Sequence, residues 1–90
     1  MNNMQQKITQ LLAPLNLQYF EFKDQSAAHV HHTHKKQGGH FALLLVSESF
    51  AHMNRLARHR RVQELLNPLF QNQEIHALSI VAKTPNEYFQ

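Results

Sequence analysis

The 90-residue sequence contains no cysteine. Disulfide bonds, thiolate zinc sites and iron–sulfur sites built from the chain's own thiolates are therefore excluded. Long hydrophobic runs are also missing, because the longest, residues 41–46, is far shorter than the roughly 20 residues that span a bilayer. The polar start, MNNMQQKITQ, has no apolar segment behind it and is not expected to be a signal peptide. These absences predict a cytoplasmic protein without a membrane partner.

The remaining composition is typical of a small folded protein. Hydrophobic residues make up 42% of the chain, which is enough for a core, and we expect residues 1–90 to form one domain. The formal net charge of +3 permits contact with nucleic acid or an acidic protein but does not require it. The positive charge is concentrated in residues 49–63, which contain no acidic residue and four arginines: Arg55, Arg58, Arg60 and Arg61.

Histidine is the most conspicuous residue type, with eight copies. Four occupy a single short stretch, and a fifth follows soon after: His29, His31, His32, His34 and then His40. Neutral imidazole is the commonest protein metal ligand, and its charge changes near physiological pH. The pattern therefore allows three interpretations, which are metal ligands, pH-dependent charges and solvated loop residues. Without cysteine, soft-metal chemistry requires imidazole or the thiolates of a partner.

Hydrophobic periodicity predicts the element order α-β-β-α-α-β-α. A long polar loop, closed by Gly38 and Gly39, separates two strands that we expect to be antiparallel. Thr84, Pro85 and Glu87 predict a capping box that starts the last helix. We therefore expect an α+β fold in which helices pack on one face of a small three-stranded sheet. The predicted strands cover residues 17–24, 40–46 and 74–82. The first predicted helix covers residues 4–15, and a short second helix begins near residue 50. A third helix, marked by an apolar stripe, ends near residue 67, and the last begins at residue 85.

Several details follow from the same patterns. The second strand is apolar throughout and is expected to be buried on both faces. In the third strand, His76, Leu78 and Ile80 are expected to share one face. His40 is expected to make a structural hydrogen bond, and His59 to pack on the inner edge of its helix. No nucleophile–base arrangement accompanies the histidines, so the sequence does not predict an enzyme.

Four blocks of sequence resemble the BolA family, in the same order and at nearly the same spacing. They are FEFKDQSAAH (20–29), GHFALLLVSESF (39–50), RLARHRRV (55–62) and EIHALSIVAKTPNEY (74–88). The most specific pieces are Arg58-His59-Arg60 and the His76-Ala77-Leu78 motif that opens the third strand. The resemblance spans residues 4–88.

This resemblance implies an αββααβ fold with a mixed sheet, similar to class II KH domains, carrying a helix-turn-helix-like segment. BolA proteins pair with monothiol glutaredoxins and share a [2Fe–2S] cluster with them and with glutathione. They are linked to iron–sulfur trafficking, iron regulation, the stress response and, in some bacteria, transcription. In the histidine-type branch, the BolA-side ligands are a loop histidine and the histidine of the His-Ala-Leu motif. Here these positions are His29 and His76, with three further loop histidines as alternative ligands: His31, His32 and His34.

Two features depart from the family pattern. The loop from His29 to His40 is longer than usual and lacks the Pro-x-Gly tract of the family. The glycine that usually lies two residues after the Phe50 position is His52 here.

Alone, the chain is expected to be a monomer or a weak homodimer.

The second functional hypothesis is a DNA-binding transcriptional regulator that uses residues 50–66. Arginines near a helix N-terminus favour phosphate, because the helix dipole and the guanidinium both attract anions. Arg55, Arg60 and Arg61 are the phosphate candidates, while Arg58 and His59 belong to the structural motif. Arg60 is expected to pair with Glu64. A third hypothesis is a divalent-metal buffer that uses the histidine loop.

Overall fold

The structure is a computed structural model that describes residues 3–26 and 38–90. The strands and the first and last helices follow the predicted order, but the short helix predicted near residue 50 is a 3₁₀ turn, Glu48–Phe50, and a helix that was not predicted, Asn67–Gln71, follows the predicted stripe. A second 3₁₀ turn covers Ala13–Leu15. The helices are α1 (Asn3–Leu11), α2 (Arg55–Leu65), α3 (Asn67–Gln71) and α4 (Pro85–Phe89), and the strands are β1 (Tyr19–Asp24), β2 (Gly39–Val46) and β3 (Ile75–Lys83).

The three strands form one mixed sheet in the order β1-β2-β3. β1 pairs with β2 in the antiparallel sense, as predicted, and β2 pairs with β3 in the parallel sense. Alternate residues of β2 face the helices, and the core forms between that face and α1, α2 and α3. The α+β fold with a small mixed sheet is therefore confirmed. The buried core residues are Ile8, Leu12, Leu15, Phe41, Leu43, Leu45, Phe50, Val62, Leu66, Leu69, Ile75 and Ile80.

The prediction that β2 is buried on both faces is wrong. Phe41, Leu43 and Leu45 are buried on the helix-facing side, but Ala42 and Leu44 on the other side are only half-buried. A continuous apolar run predicts burial on both faces of a strand, but helices cover only one face of this sheet. Among the described residues, no helix combines the length and the apolar character needed to cross a membrane.

The helical region after β2 also differs from its prediction. α2 begins at Arg55, where the side chain of Asn54 caps the helix by accepting a hydrogen bond from the Ala57 amide at 2.8 Å. The stripe was expected to end near residue 67, at Pro68, but α2 already ends at Leu65, and a turn at Leu66 separates it from α3. Instead, Pro68 lies in the first turn of α3, where its missing N–H leaves no intrahelical hydrogen bond unmade.

The start of β3 contains a bulge that the sequence did not predict. Gly39 lies opposite Ile75, but His40 lies opposite Ala77, so His76 is an extra residue between two paired positions. Ile75 is buried and Leu78 packs against the core, while His76 is exposed. The prediction that His76 shares a face with Leu78 and Ile80 is therefore wrong, because the bulge shifts the alternation of side chains.

His52 adopts a left-handed backbone conformation with φ of 68°. This conformation costs a residue with a Cβ atom about 1–2 kcal/mol, and glycine avoids that cost. We therefore predict that His52→Gly raises the free energy of unfolding by up to about 1 kcal/mol, after allowing for the greater backbone entropy of unfolded glycine. Urea unfolding measures the change. His52→Ala is the matched control and should give no gain; equal stabilisation by alanine would contradict this explanation.

Candidate functional site

His40 and His76 lie side by side at the edge of the sheet where β2 and β3 begin. Their ring centroids are 5.2 Å apart, and the ring planes are inclined by 46°. His76 is exposed and His40 is half-buried, the latter on the sheet face opposite Phe41 and the core. Because parallel strands start at the same edge, β2 and β3 bring together two imidazoles that are distant in sequence.

Hydrogen bonds and close backbone contacts fix the strand starts that carry the two rings. The Gly39 amide donates to the Glu74 carbonyl at 2.9 Å, and the His40 amide donates to Ser26 Oγ at 3.0 Å. A Cβ atom on Gly38 would lie 2.4 Å from the Gln73 carbonyl oxygen and 2.9 Å from the His76 amide nitrogen. Glycine at position 38 therefore allows the chain entering β2 to lie directly against the backbone that precedes and includes His76.

Glu74 joins this sheet edge to α1. Its carboxylate accepts hydrogen bonds from the Lys7 ammonium and from the Asn72 side chain, and its amide donates to Asn72 Oδ1 at 2.9 Å. The hydrogen bond from Lys7 is the main reason that the pKa of Glu74 lies below its ordinary value. Glu74, two positions before His76, is therefore held by Lys7 of α1 and by Asn72.

The predicted loop ligands, His29, His31, His32 and His34, lie outside the described residues. Within residues 3–26 and 38–90, no group of three or more histidine, aspartate and glutamate side chains could hold a metal ion. The described part of the chain thus contributes a pair of imidazoles, His40 and His76, rather than a complete coordination sphere.

Arg58 connects the first turn of α2 to the end of β3 and to α4. Its Nε donates to the Met53 carbonyl at 2.9 Å, and its Nη1 donates to the Ala82 carbonyl at 3.0 Å. Both terminal nitrogens donate to the Glu87 carboxylate, at 2.7 and 3.1 Å. The Arg58 side chain is only 13% exposed. All four of these hydrogen bonds go to groups of the same chain, which leaves little of the Arg58 guanidinium for an external ligand.

Glu87 is also part of the predicted capping box, which is confirmed. The Thr84 amide donates to the Glu87 carboxylate at 2.9 Å, and the Glu87 amide donates to the Thr84 hydroxyl at 3.2 Å. The hydrogen bonds from Arg58, followed by that from the Thr84 amide, lower the pKa of Glu87 to about 2. A single carboxylate therefore caps α4 and anchors Arg58.

The other arginines of α2 lie on two different sides of the helix. Arg55 and the half-buried His59 line a groove of about 550 Å³ between α2 and β3, together with Lys83. Arg60 and Arg61 line a second groove of about 400 Å³. The structure therefore does not bring the three predicted phosphate candidates to one spot.

One predicted ion pair in this helix is replaced by another. Arg60 was expected to pair with Glu64, but Arg61 Nη1 lies 3.3 Å from Glu64 Oε1. The observed pair has i,i+3 spacing, which places two side chains on the same helix face as readily as the i,i+4 spacing does. Arg60 stays exposed.

The pairing of His40 with His76 is the main feature that the sequence interpretation missed. Both residues stand at the start of a predicted apolar strand, and starts of adjacent parallel strands meet at one edge. That signal was present in the sequence, but using it required knowing that β2 and β3 are parallel neighbours. The bulge that exposes His76 had no local sequence signal.

Comparisons with known proteins agree with this fold. The sequence model of the family described as BolA-like protein matches residues 11–87. A BolA-like protein of Dictyostelium discoideum is 32% identical over 87 residues, which are 97% of this chain and 72% of that protein. The DNA-binding transcriptional regulator BolA of Haemophilus influenzae is 34% identical over 64 residues, which are 71% of this chain and 61% of that protein.

Solved structures show the same similarity in three dimensions. The structure of BolA1 from Arabidopsis thaliana superposes with a TM-score of 0.80 at 32% sequence identity. The match covers 97% of this chain and 98% of that one. Nearly the whole of both chains therefore shares one arrangement of helices and strands.

Proposed function

Because the chain belongs to the BolA-like family, we propose that it is a cytoplasmic, non-enzymatic adaptor that binds a monothiol glutaredoxin. The two proteins share a [2Fe–2S] cluster, completed by glutathione, in iron–sulfur trafficking or in iron and stress regulation. The observation that carries this proposal is the exposed imidazole of His76, beside His40, in a chain without cysteine.

The donor groups of this chain fit such a shared site. One iron of a [2Fe–2S] cluster accepts two imidazoles in place of two thiolates, which raises its reduction potential. His76 offers one imidazole to a partner surface, and His29 is the second ligand implied by the family resemblance, with His31, His32 and His34 as alternatives. Since the chain has no thiolate, the sulfur ligands must come from the glutaredoxin and from glutathione.

The surrounding residues give His76 a fixed position from which to meet a partner. The contacts of Gly38 and Glu74 hold the backbone that leads into the bulge. A ligand on a fixed strand loses less conformational entropy on binding than a ligand on a free loop. The role of this chain is therefore to present an oriented imidazole to a cluster whose other ligands are on the partner.

Anaerobic reconstitution tests the proposal. The protein is mixed with a monothiol glutaredoxin from the same cell, glutathione, iron and sulfide, and the product is separated by size-exclusion chromatography. We expect co-elution of both proteins with a visible spectrum that differs from that of the glutaredoxin cluster alone. Separate elution and an unchanged glutaredoxin spectrum would contradict the proposal.

A second candidate function, DNA binding in transcriptional regulation, is favoured by one observation on α2. Arg55 and Arg60 are both exposed on α2, and at Arg55, in the first turn, the helix dipole adds to the attraction of phosphate. The Haemophilus influenzae relative is described as a DNA-binding transcriptional regulator. Arg55 lines a groove with Lys83 at the end of β3, whereas His76 lies at the start of that strand, so a shared cluster and DNA binding are not mutually exclusive.

For this second function, we predict that Arg55→Ala and Arg60→Ala each weaken DNA binding similarly across sequences. Each substitution should also reduce the slope of log affinity against log salt by about 1, because one phosphate contact is lost. Fluorescence anisotropy at several salt concentrations measures both quantities. Gln63→Ala, an exposed neutral position on the same helix, is the control. Binding that does not depend on salt would exclude phosphate contact as its basis.

A further inference from the structure

We propose that the groove between α2 and the outer edge of β3 binds an extended acidic peptide segment of a partner protein. The outer edge is the side of β3 that faces away from β2, and the segment joins the sheet there as a fourth strand. Such strand addition draws affinity from main-chain hydrogen bonds and specificity from alternate side chains. The inference goes beyond both proposed functions, because the groove lies along the second half of β3, whereas His76 lies at the start of that strand.

The backbone of β3 has one side available for such a segment. Among the described residues, β3 pairs with β2 alone. The Lys83 carbonyl accepts from the amide of Ser47, which directly follows β2, so Lys83 directs its backbone groups toward β2. Val81 does the same, because alternate residues of a strand have the same orientation. The residues between them, Ile80 and Ala82, therefore direct their amides and carbonyls to the outer edge.

Arg58 marks the position at which an added strand ends. Its Nη1 reaches the outward-facing Ala82 carbonyl from α2 at 3.0 Å. Because that acceptor is occupied, pairing falls to the residues before it, above all Ile80. Ile80 lines the groove, whose volume of about 550 Å³ lies within the range of roughly 300–1,000 Å³ that is typical of ligand clefts.

The sequence of β3 leaves most of its outer edge unprotected. Edge strands are commonly protected by charged residues, proline or bulges. β1, the strand at the other edge of the sheet, carries Glu21, Lys23 and Asp24. Residues 75–82 of β3 contain no acidic residue, lysine, arginine or proline, and the bulge is confined to the start of the strand. Val81 is 47% exposed on this strand. The second half of β3 is therefore an apolar template for an extended chain.

The charges around the groove favour an acidic partner. Its lining includes three cations and one carboxylate: Arg55, Arg58, Lys83 and Glu87. Glu87 accepts two hydrogen bonds from Arg58, so the unbalanced positive charge lies on Arg55 and Lys83. The same positive charge would repel the edge of a second copy of this chain. Charge complementarity therefore favours an acidic segment over self-association.

The hydrogen-bonding groups of the edge match a peptide better than a nucleic acid. Ile80 presents a donor, its amide, and an acceptor, its carbonyl, on the same side of the strand. An extended peptide supplies the complementary carbonyl and amide at strand spacing. A phosphate backbone supplies acceptors but no donor for the Ile80 carbonyl.

The capped peptide acetyl-Glu-Val-Glu-Val-Glu-amide tests the inference by NMR. Its alternation places carboxylates toward the cations of α2 and valines toward Val81. In the protein alone, we expect the Ile80 amide to exchange with solvent faster than the Val81 amide, which is already bonded to β2. A saturating, millimolar concentration of the peptide should remove most of that difference. Equal exchange of the two amides in the protein alone, or a difference that the peptide leaves unchanged, would overturn the inference.

Fluorescence anisotropy with a labelled form of the peptide tests the two sources of affinity separately. Methylation of the peptide nitrogens that face β3 should weaken binding about two- to tenfold for each hydrogen bond lost. Arg55→Ala should weaken it about two- to fivefold, as expected for an exposed ion pair. Arg60→Ala, on the same helix but outside this groove, is the matched control and should leave the affinity unchanged.

Three results would contradict this assignment of the groove. They are equal binding of the methylated peptide, tighter binding of a single-stranded oligonucleotide at the Ile80 edge, and a dimer that protects the Ile80 amide without any peptide. None of them bears on the cluster proposal, which is measured with glutaredoxin and iron. The proposed DNA contact is tested separately by Arg60→Ala, which should weaken DNA binding but not peptide binding.

Discussion

Arg58→Ala is expected to lower the free energy of unfolding by about 1.5–3 kcal/mol, the range for a hydrogen bond to a charged group. Arg58 makes four hydrogen bonds that connect Met53, the end of β3 at Ala82, and Glu87 in α4. Removal of the guanidinium breaks all four at once. Urea unfolding followed by circular dichroism measures the change.

Two variants show whether the geometry of the guanidinium is responsible. Arg58→Lys keeps the charge but cannot make the forked contact with Glu87, so it should recover only a small part of the lost stability. Arg60→Ala removes an exposed arginine two positions further along the same helix and should change stability by no more than about 0.5 kcal/mol. Equal losses for Arg58→Ala and Arg60→Ala would show that Arg58 has no special structural role.

The contact between Arg58 and Glu87 predicts that the stability of the fold depends on pH. The pKa of Glu87 is lowered from 4.5 to about 2 in the folded protein, so folding favours its charged form. Its contribution to stability is therefore complete above pH 4.5 and is lost as the pH falls toward 2. Because Arg58 is the main cause of the lowered pKa, the stability difference between the native protein and Arg58→Ala should narrow across this range. A difference that stays constant would contradict the assignment.

His76→Ala is expected to abolish the spectral change that this protein produces when mixed with a cluster-loaded monothiol glutaredoxin. No thiolate of the chain can replace the lost ligand, because the sequence contains no cysteine. The fold should be little affected, since His76 is exposed and lies at a bulge outside the core. Visible absorption and circular dichroism of the mixture measure the loss, and far-ultraviolet circular dichroism checks the fold.

Two substitutions control for effects on docking alone. Ser79→Ala changes another exposed position of β3 and should leave the spectral change intact. His76→Cys supplies a thiolate in place of imidazole, so cluster sharing should persist with a lower reduction potential. A normal spectrum with His76→Ala would show that the imidazole of this residue is not a ligand.

The sequence predicted those parts of the fold that depend on local patterns. The capping box of Thr84 and Glu87, the stripe of Ile8, Leu12 and Leu15, and the three strands all have signals within a few residues. The family resemblance added the mixed sheet, because it compares the chain with whole folds rather than with local propensities.

The features that escaped prediction depend on residues that meet only after folding. The contact of Arg58 with Glu87 joins positions 29 residues apart. The proximity of His40 and His76 requires both the parallel pairing of β2 with β3 and the bulge in β3. Neither can be read from periodicity, because a bulge shifts side-chain alternation without changing residue type. For the same reason, the regular alternation of side chains placed His76 on the wrong face of its strand.

The identity of the ligands in the shared cluster tests the central proposal most directly. The protein is labelled with ¹⁵N-histidine, combined with unlabelled glutaredoxin, glutathione, iron and sulfide, and the cluster is reduced for pulsed electron paramagnetic resonance. We expect strong ¹⁵N hyperfine coupling from directly bound imidazole, and no such coupling when the His76→Ala variant replaces the native chain. A reduced cluster in the complex without ¹⁵N coupling would show that all its ligands come from glutaredoxin and glutathione, and would contradict the proposed function.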